Sequence, residues 1–160
     1  MIFPPRLILT DALWRQTIAV LQQYTPKKKE AGCFWYGLRT DTASCALVLG
    51  IPRQINLAAS FEIPADNLAA LTDAACEASG LVAVAQLHIH PGGDVRHSLL
   101  DDNQVVSRNI YSLIIPHYCR PPILLDSIGI HRFENDGWTR LSPEAGRKAI
   151  TITASFVDTR

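Results

Sequence analysis

The run LVAVAQLHIH, residues 81–90, constrains the architecture of this chain more than any other ten residues. Side chains alternate across a strand, so Val82, Val84, Gln86, His88 and His90 fall on one face and Leu81, Ala83, Ala85, Leu87 and Ile89 on the other. The first face turns from apolar to polar at its C-terminal end, where Pro91-Gly92-Gly93 breaks the strand. His88 and His90 thus project in one direction, a two-point chelate for a transition metal. The chain returns as Ser98-Leu99-Leu100-Asp101, where the first turn of a helix brings Ser98 and Asp101 together. Two neutral histidines and one carboxylate leave a tetrahedral zinc one position for water, the open coordination of catalytic sites.

Each half of this constellation also has a plain structural reading. Histidines at the polar end of a strand are often just solvated or hydrogen bonded. Ser98-x-x-Asp101 is close to a capping box, and an acid at a helix start favours its dipole without any metal. It is the two halves together, in order and separated by a loop short enough to fold back, that point to a site. The seventeen residues 86–102 hold three of the chain's five histidines, with two glycines and three aspartates.

The rest of the chain reads as one α/β domain over residues 1–160, long enough to bury a core without metal or disulfides as staples. Thr10 and Asp11 cap a helix over Thr10 to Tyr24, with Leu13, Trp14, Ile18, Leu21 and Tyr24 at helical spacing. AGCFWYGLR and SCALVLGI are two strands joined by a polar turn at Thr40 to Thr42, and INLAASFEI is a third. Pro64 opens a helix that Gly80 stops. YSLIIP is a strand after the helix that begins at Ser98, and SIGIHRF and WTRL flank a hairpin turn at Asn135-Asp136-Gly137. From Ser142 the tail has a helix-start signature followed by the alternating ITITASFV, and its structure stays undecided to residue 160.

Composition excludes several classes. Fifteen basic and fifteen acidic side chains balance, and Lys27-Lys28-Lys29 is the only sizeable charge run, so neither a nucleic-acid nor a membrane surface is expected. MIFPPRLIL does not read as a signal peptide, and no apolar stretch is long enough to span a bilayer. Cys33, Cys45, Cys76 and Cys119 make no C-x-x-C pair and read as small apolar thiols in a reducing cytoplasm.

HIHPGGDVRHSLLD resembles the signature of the JAMM, or MPN-type, zinc peptidases: H-x-H, seven residues, S, two residues, D, with proline after the second histidine. His88, His90, Ser98 and Asp101 fill it without a gap. That family also carries a glutamate on an early strand with glycine at fixed offset, and EAGCFWYG supplies Glu30 and Gly37, with Gly32 as in several bacterial members. The order of elements agrees over about residues 10–140. One departure is Ile89, where Ser or Thr usually stands between the histidines; its side chain points away from the metal.

The resemblance implies a single MPN domain with a mixed central β-sheet flanked by helices, of cytidine-deaminase-like architecture. It also implies zinc on His88, His90 and Asp101, Glu30 as proton shuttle and Ser98 as oxyanion donor. Family members typically cut the isopeptide bond after the C-terminus of ubiquitin or a ubiquitin-like protein. Short bacterial members occur beside activating- and conjugating-enzyme homologues, including in antiviral defence, and others process sulfur-carrier proteins. Only nine residues separate Asp101 from YSLIIP, little room for substrate-gripping insertions. A metal-free histidine-triad nucleotide hydrolase would also use Gln-x-His-x-His, but would leave Glu30, Ser98 and Asp101 without roles. A non-catalytic MPN scaffold is the third reading, which intact ligands disfavour. Zinc deaminases need H-x-E and P-C-x-x-C, and neither occurs.

Overall fold

The computed structural model describes residues 6–103, 109–134 and 137–155. The chain runs through β1 (Leu7–Thr10), α1 (Asp11–Gln22), β2 (Gly32–Arg39), β3 (Ser44–Gly50), β4 (Ile55–Asn56), β5 (Phe61–Glu62), α2 (Ala65–Ser79) and β6 (Val82–Ile89). Then follow α3 (Leu99–Asn103), β7 (Tyr111–Ile115), β8 (Gly129–Glu134), β9 (Gly137–Arg140), α4 (Pro143–Ala149) and β10 (Ile150–Thr153). One mixed sheet takes the order β10-β1-β3-β2-β6-β7-β8-β9, while β4 and β5 pair separately as a short ribbon. No described helix is long and apolar enough to cross a membrane.

Alternation along β2 divides the interior. Cys33 and Trp35 face the larger core, where Leu13 and Leu21 of α1 meet Leu7, Leu9, Leu87, Ile89, Leu113 and Ile115. Phe34 and Tyr36 face the other way and are covered by Leu68, Leu71 and Ala75 of α2. The Trp35 indole stays satisfied at depth because its Nε1 donates to Thr17 Oγ1 at 2.9 Å, and that hydroxyl donates to Leu13 O at 2.7 Å. Thr10 caps α1 by accepting from Leu13 N, and Gly80 ends α2 at φ 65°, as the sequence predicts.

The structure departs from the sequence reading in four places. Leu7–Thr10 is a strand, lying parallel to β3 on one side and to β10 on the other. The undecided tail therefore forms, over its described residues to 155, α4, capped by Ser142, and an edge strand that seats Ile150 beside Leu7; residues 156–160 lie outside the described residues. INLAASFEI is not one strand: it reverses at Ala58 and Ala59, and Leu57 N donates to Ser60 O at 2.9 Å. No glycine or proline marks that reversal, which is why the run reads as continuous. The β2–β6 register slips between Trp35, opposite Ala85, and Tyr36, opposite Ala83. Val84 is the extra residue and packs in the larger core with Ala85 and Leu87, so alternation holds only from Ala85 onward. Asn135 and Asp136 lie outside the described residues; Glu134 and Gly137 on either side pair as hairpin partners.

A further feature has no sequence signal at all. His117, Tyr118 and Cys119 have φ of 56°, 52° and 60°, three successive left-handed residues without a glycine. Each costs roughly 1–2 kcal/mol relative to the right-handed conformation. Surrounding hydrogen bonds must over-determine such a turn for it to persist.

Candidate metal centre

The site is built by strand register and one helix cap. β2 and β6 run antiparallel with Gly32 opposite His88, and Ile89 N donates to Ala31 O at 3.1 Å. Continued one step further, that register sets Glu30 across from His90, on the face that also carries His88. β7 lies parallel to β6 on the other side, so the histidines emerge at the C-terminal end of a parallel pair, the usual place for a ligand in such sheets.

Beyond the Pro91-Gly92-Gly93 turn, the chain returns to α3 through a reciprocal cap. Asp101 N donates to Ser98 Oγ at 3.2 Å, and Ser98 N donates to Asp101 Oδ2 at 2.7 Å. The structural reading of Ser98-x-x-Asp101 is thus correct, and it serves the site, because the cap aims the carboxylate at the histidines. Asp101 Oδ1 lies 3.2 Å from His88 Nε2, and Oδ2 lies 3.4 Å from His90 Nε2. The two Nε2 atoms are 3.0 Å apart.

These donors fit a divalent cation. His90 Nδ1 contacts the Asp94 carbonyl at 2.8 Å, and a carbonyl can only accept, so the proton sits on Nδ1. In the neutral ring Nε2 is then bare and turned toward the other donors, as in metal-bound histidines whose other ring N–H is held by a carbonyl. A tetrahedral zinc with arms of about 2.0–2.1 Å requires donor–donor edges of about 3.3 Å. The imidazole nitrogens are 3.0 Å apart, and Asp101 meets His88 through Oδ1 at 3.2 Å and His90 through Oδ2 at 3.4 Å, so the donors lie within the spacing that one ion can share. Among the described residues, His88, His90 and Asp101 are the group whose ligand atoms converge in this way.

Electrostatics follow from depth. Burial pushes the Glu30 carboxyl up to about 7, with His90 pulling it down and Asp101 pushing it up. Burial also lowers His88, against the pull of Asp101. For His90 burial acts downward, but hydrogen bonds to Asp101 and the Asp94 carbonyl prevail and raise it. Asp101 is held far below the carboxylate range, its burial outweighed by the two imidazoles.

The glycines of β2 allow close packing beside Glu30. A Cβ on Gly32 would lie 2.6 Å from Phe61 Cε2, and the Phe61 ring packs against His88 at 5.7 Å between centroids. A Cβ on Gly37 would lie 1.8 Å from Cys45 O, so the glycine at fixed offset permits close approach of β3 at a bulge. Glu30 itself is seated by the β4–β5 ribbon. Its N–H donates to Leu57 O at 2.7 Å, and Asn56 Nδ2 donates to its carbonyl at 2.8 Å. The Gln54 amide binds both the N–H and the C=O of Gly32, each at 2.8 Å, in place of a neighbouring strand. Gln54, Asn56 and Phe61 carry no motif spacing, and only the fold brings them here.

His97 and Asp102, unassigned by sequence, separate in character. Asp102 is exposed, with Oδ1 3.2 Å from His97 Nδ1. The His97 side chain is buried: it is 6% accessible, edge-on to His88 and His131 and against Trp138. Burial holds His97 at about 4, with His88 adding to the shift. Burial likewise holds His131 at about 3, with His97 and then Arg140 contributing.

His131 therefore stays neutral in the folded chain, whereas an unfolded histidine begins to bind protons near pH 6.5. Stability is present above that pH and is lost as pH falls through it. Between pH 7 and pH 5 the loss assigned to His131 is about 2 kcal/mol. Urea titrations should show a smaller loss over this interval in His131→Gln than in the wild type; equal losses would remove His131 from the acid sensitivity.

Comparison with the curated proteins gives a relative of nearly equal length. A chain of Sinorhizobium fredii is similar to this one. It bears the name probable metalloprotease y4jG and is 27% identical over 158 residues, covering 92% of this chain and 96% of its own. No family model matches. The fold recurs in the solution structure of protein DSY2949 from Desulfitobacterium hafniense, with TM-score 0.66 and 19% identity over 93% of this chain and 94% of that one. It recurs also in a protein from Salinibacter ruber, with TM-score 0.58 and 16% identity over 91% and 90%. At these identities the two structures speak to the fold alone.

Proposed function

We propose that this chain is a JAMM-type zinc metallopeptidase that cleaves after the C-terminus of a ubiquitin-like protein. The observation that carries the reading is the triangle of His88, His90 and Asp101 donors with a buried carboxyl, Glu30, whose pKa lies near 7. The name of the Sinorhizobium relative supports the peptidase class. The zinc identity, the JAMM assignment and the substrate rest on the signature residues.

In this reading zinc, when bound, supplies a Lewis acid and brings the pKa of water there toward about 7. Glu30 takes the proton from the attacking water and returns it to the departing amine, which amide cleavage needs because a free amide anion is a very poor leaving group. Burial, which disfavours the ionised form of Glu30, makes its carboxylate a better proton acceptor than a solvated one. Ser98 Oγ accepts from Asp101 N, so its own proton is free to donate to the oxyanion. Ser98→Ala is expected to lower kcat by roughly two to three orders of magnitude, read at saturating substrate. A loss below about threefold would leave Ser98 with the cap alone.

Substrate class is tested through the tail. An extended C-terminus can bind as an added strand, held by backbone hydrogen bonds, with only small residues admitted beside the metal. The experiment is cleavage of conjugates of ubiquitin-like proteins encoded near this gene. Replacing the last glycine of the tail by phenylalanine should abolish cleavage, while exchanging the conjugated protein should change the rate only a few-fold. Strong dependence on the partner with indifference to the tail would overturn the assignment.

A further inference from the structure

The three left-handed residues after β7 sit against two parts of the site at once. His117 N donates to Gly92 O at 2.9 Å and Tyr118 N donates to His90 O at 2.7 Å, so successive N–H groups grip the turn that follows the histidine pair. The Tyr118 hydroxyl then reaches away and donates to Ala58 O at 2.8 Å, at the tip of the β4–β5 ribbon. From behind, Thr25 Oγ1 donates to Tyr118 O, and Gln22 Nε2 donates to Cys119 O at 3.4 Å, anchoring the turn to the end of α1.

The ribbon that Tyr118 holds is the one that seats Glu30, through Leu57 O and Asn56 Nδ2. One residue thus bonds to the backbone of His90 on one side and to the platform of Glu30 on the other. β4 and β5 are two residues each, and a pair so short has little stability of its own. Without an external tie, the tip of the ribbon and the Glu30 backbone bonded to it would be held to the histidines only through the β2–β6 pairing, whose last bond is Ile89 N to Ala31 O. Strain kept at such a junction, with no glycine to relieve it, is the pattern of a segment whose geometry is used.

We propose that Tyr118 is a positioning residue that fixes Glu30 relative to His90 through the Tyr118–Ala58 hydrogen bond. The inference rests on the proposed role of Glu30, and its test has an arm that does not. In Tyr118→Phe the backbone bond to His90 remains and only the hydroxyl is lost. The metal content of the purified protein should equal that of the wild type, and the melting temperature should stay within about 4 °C. Hydrogen exchange at the Glu30 amide should become at least about fivefold faster while amides of β7 are unchanged. With a coumarin amide of a Gly-Gly-ending peptide as probe, kcat should fall about tenfold at constant KM.

Unchanged Glu30 exchange in Tyr118→Phe would overturn the proposal, as would faster exchange with an unchanged kcat. If the wild type fails to cleave this probe and the ubiquitin-like conjugates alike, the functional reading fails instead. The exchange result then still decides whether Tyr118 holds the seat of Glu30.

Discussion

Exchanging His90 for alanine is expected to leave a folded chain that no longer retains metal. The wild type, expressed with zinc and dialysed, should hold about one ion per chain, the stoichiometry of a three-ligand open site. His90→Ala should fall to background by elemental analysis, because Asp101 and His88 alone make a two-point site. Asp101→Asn is the sharper variant. An asparagine oxygen can still accept from Ser98 N, so the cap of α3 survives while the charge and one good ligand are lost. A cap role alone would leave metal content intact in Asp101→Asn; a ligand role empties it. Wild type that is empty after zinc-replete expression would overturn the metal site altogether.

The fold should tolerate these changes because its larger core does not include the site. Leu7, Leu9, Leu87, Ile89, Leu113 and Ile115 pack on the face of the sheet opposite the imidazoles. Chelation should therefore lower the melting temperature only by the binding free energy that is removed, without loss of the circular dichroism of the folded state. Collapse on chelation would make the metal structural.

What the sequence made legible was whatever depends on local period and fixed spacing. H-x-H on a strand puts two imidazoles on one face regardless of the rest of the fold. S-x-x-D at a helix start brings its two side chains together by helix geometry alone, and the reciprocal bonds between Ser98 and Asp101 are that geometry. Glu30 was different. Its place opposite His90 depends on the register of β2 against β6, separated by about forty residues of chain, and no local pattern specifies it. Only the resemblance to a known signature singled it out.

The readings that failed each depended on distant partners. β1 is four residues long and exists by pairing with β3 and with β10, the last strand of the described chain. Its sequence reads merely as a lead-in to α1. Val84 obeys the alternation until a bulge opposite Trp35 and Tyr36 turns it around, and neither strand's sequence announces that slip. The ribbon at 55–62 and the left-handed turn at 117–119 are specified by hydrogen bonds to Glu30, Gly32, His90 and Gly92, so both became visible only in three dimensions.

Glu30→Gln should cause the largest loss that leaves the metal site intact. Glu30 is outside the group of converging ligand atoms, so metal content in the variant should equal that of the wild type. Glutamine has the same size and keeps the backbone bonds to Leu57 and Asn56, but it cannot accept and return a proton. The loss in kcat should be roughly two to four orders of magnitude, the contribution of a general acid/base. KM should change little, because the lost interaction belongs to the transition state. Stability offers an independent reading. A carboxyl whose pKa is raised mainly by burial is a group the folded state holds at a cost when ionised, so the amide should keep or increase stability at pH 8. Activity falling while stability holds is the signature of a residue kept for chemistry. Near-wild-type turnover in Glu30→Gln would remove it from the mechanism, and a parallel loss of metal would make it a ligand instead.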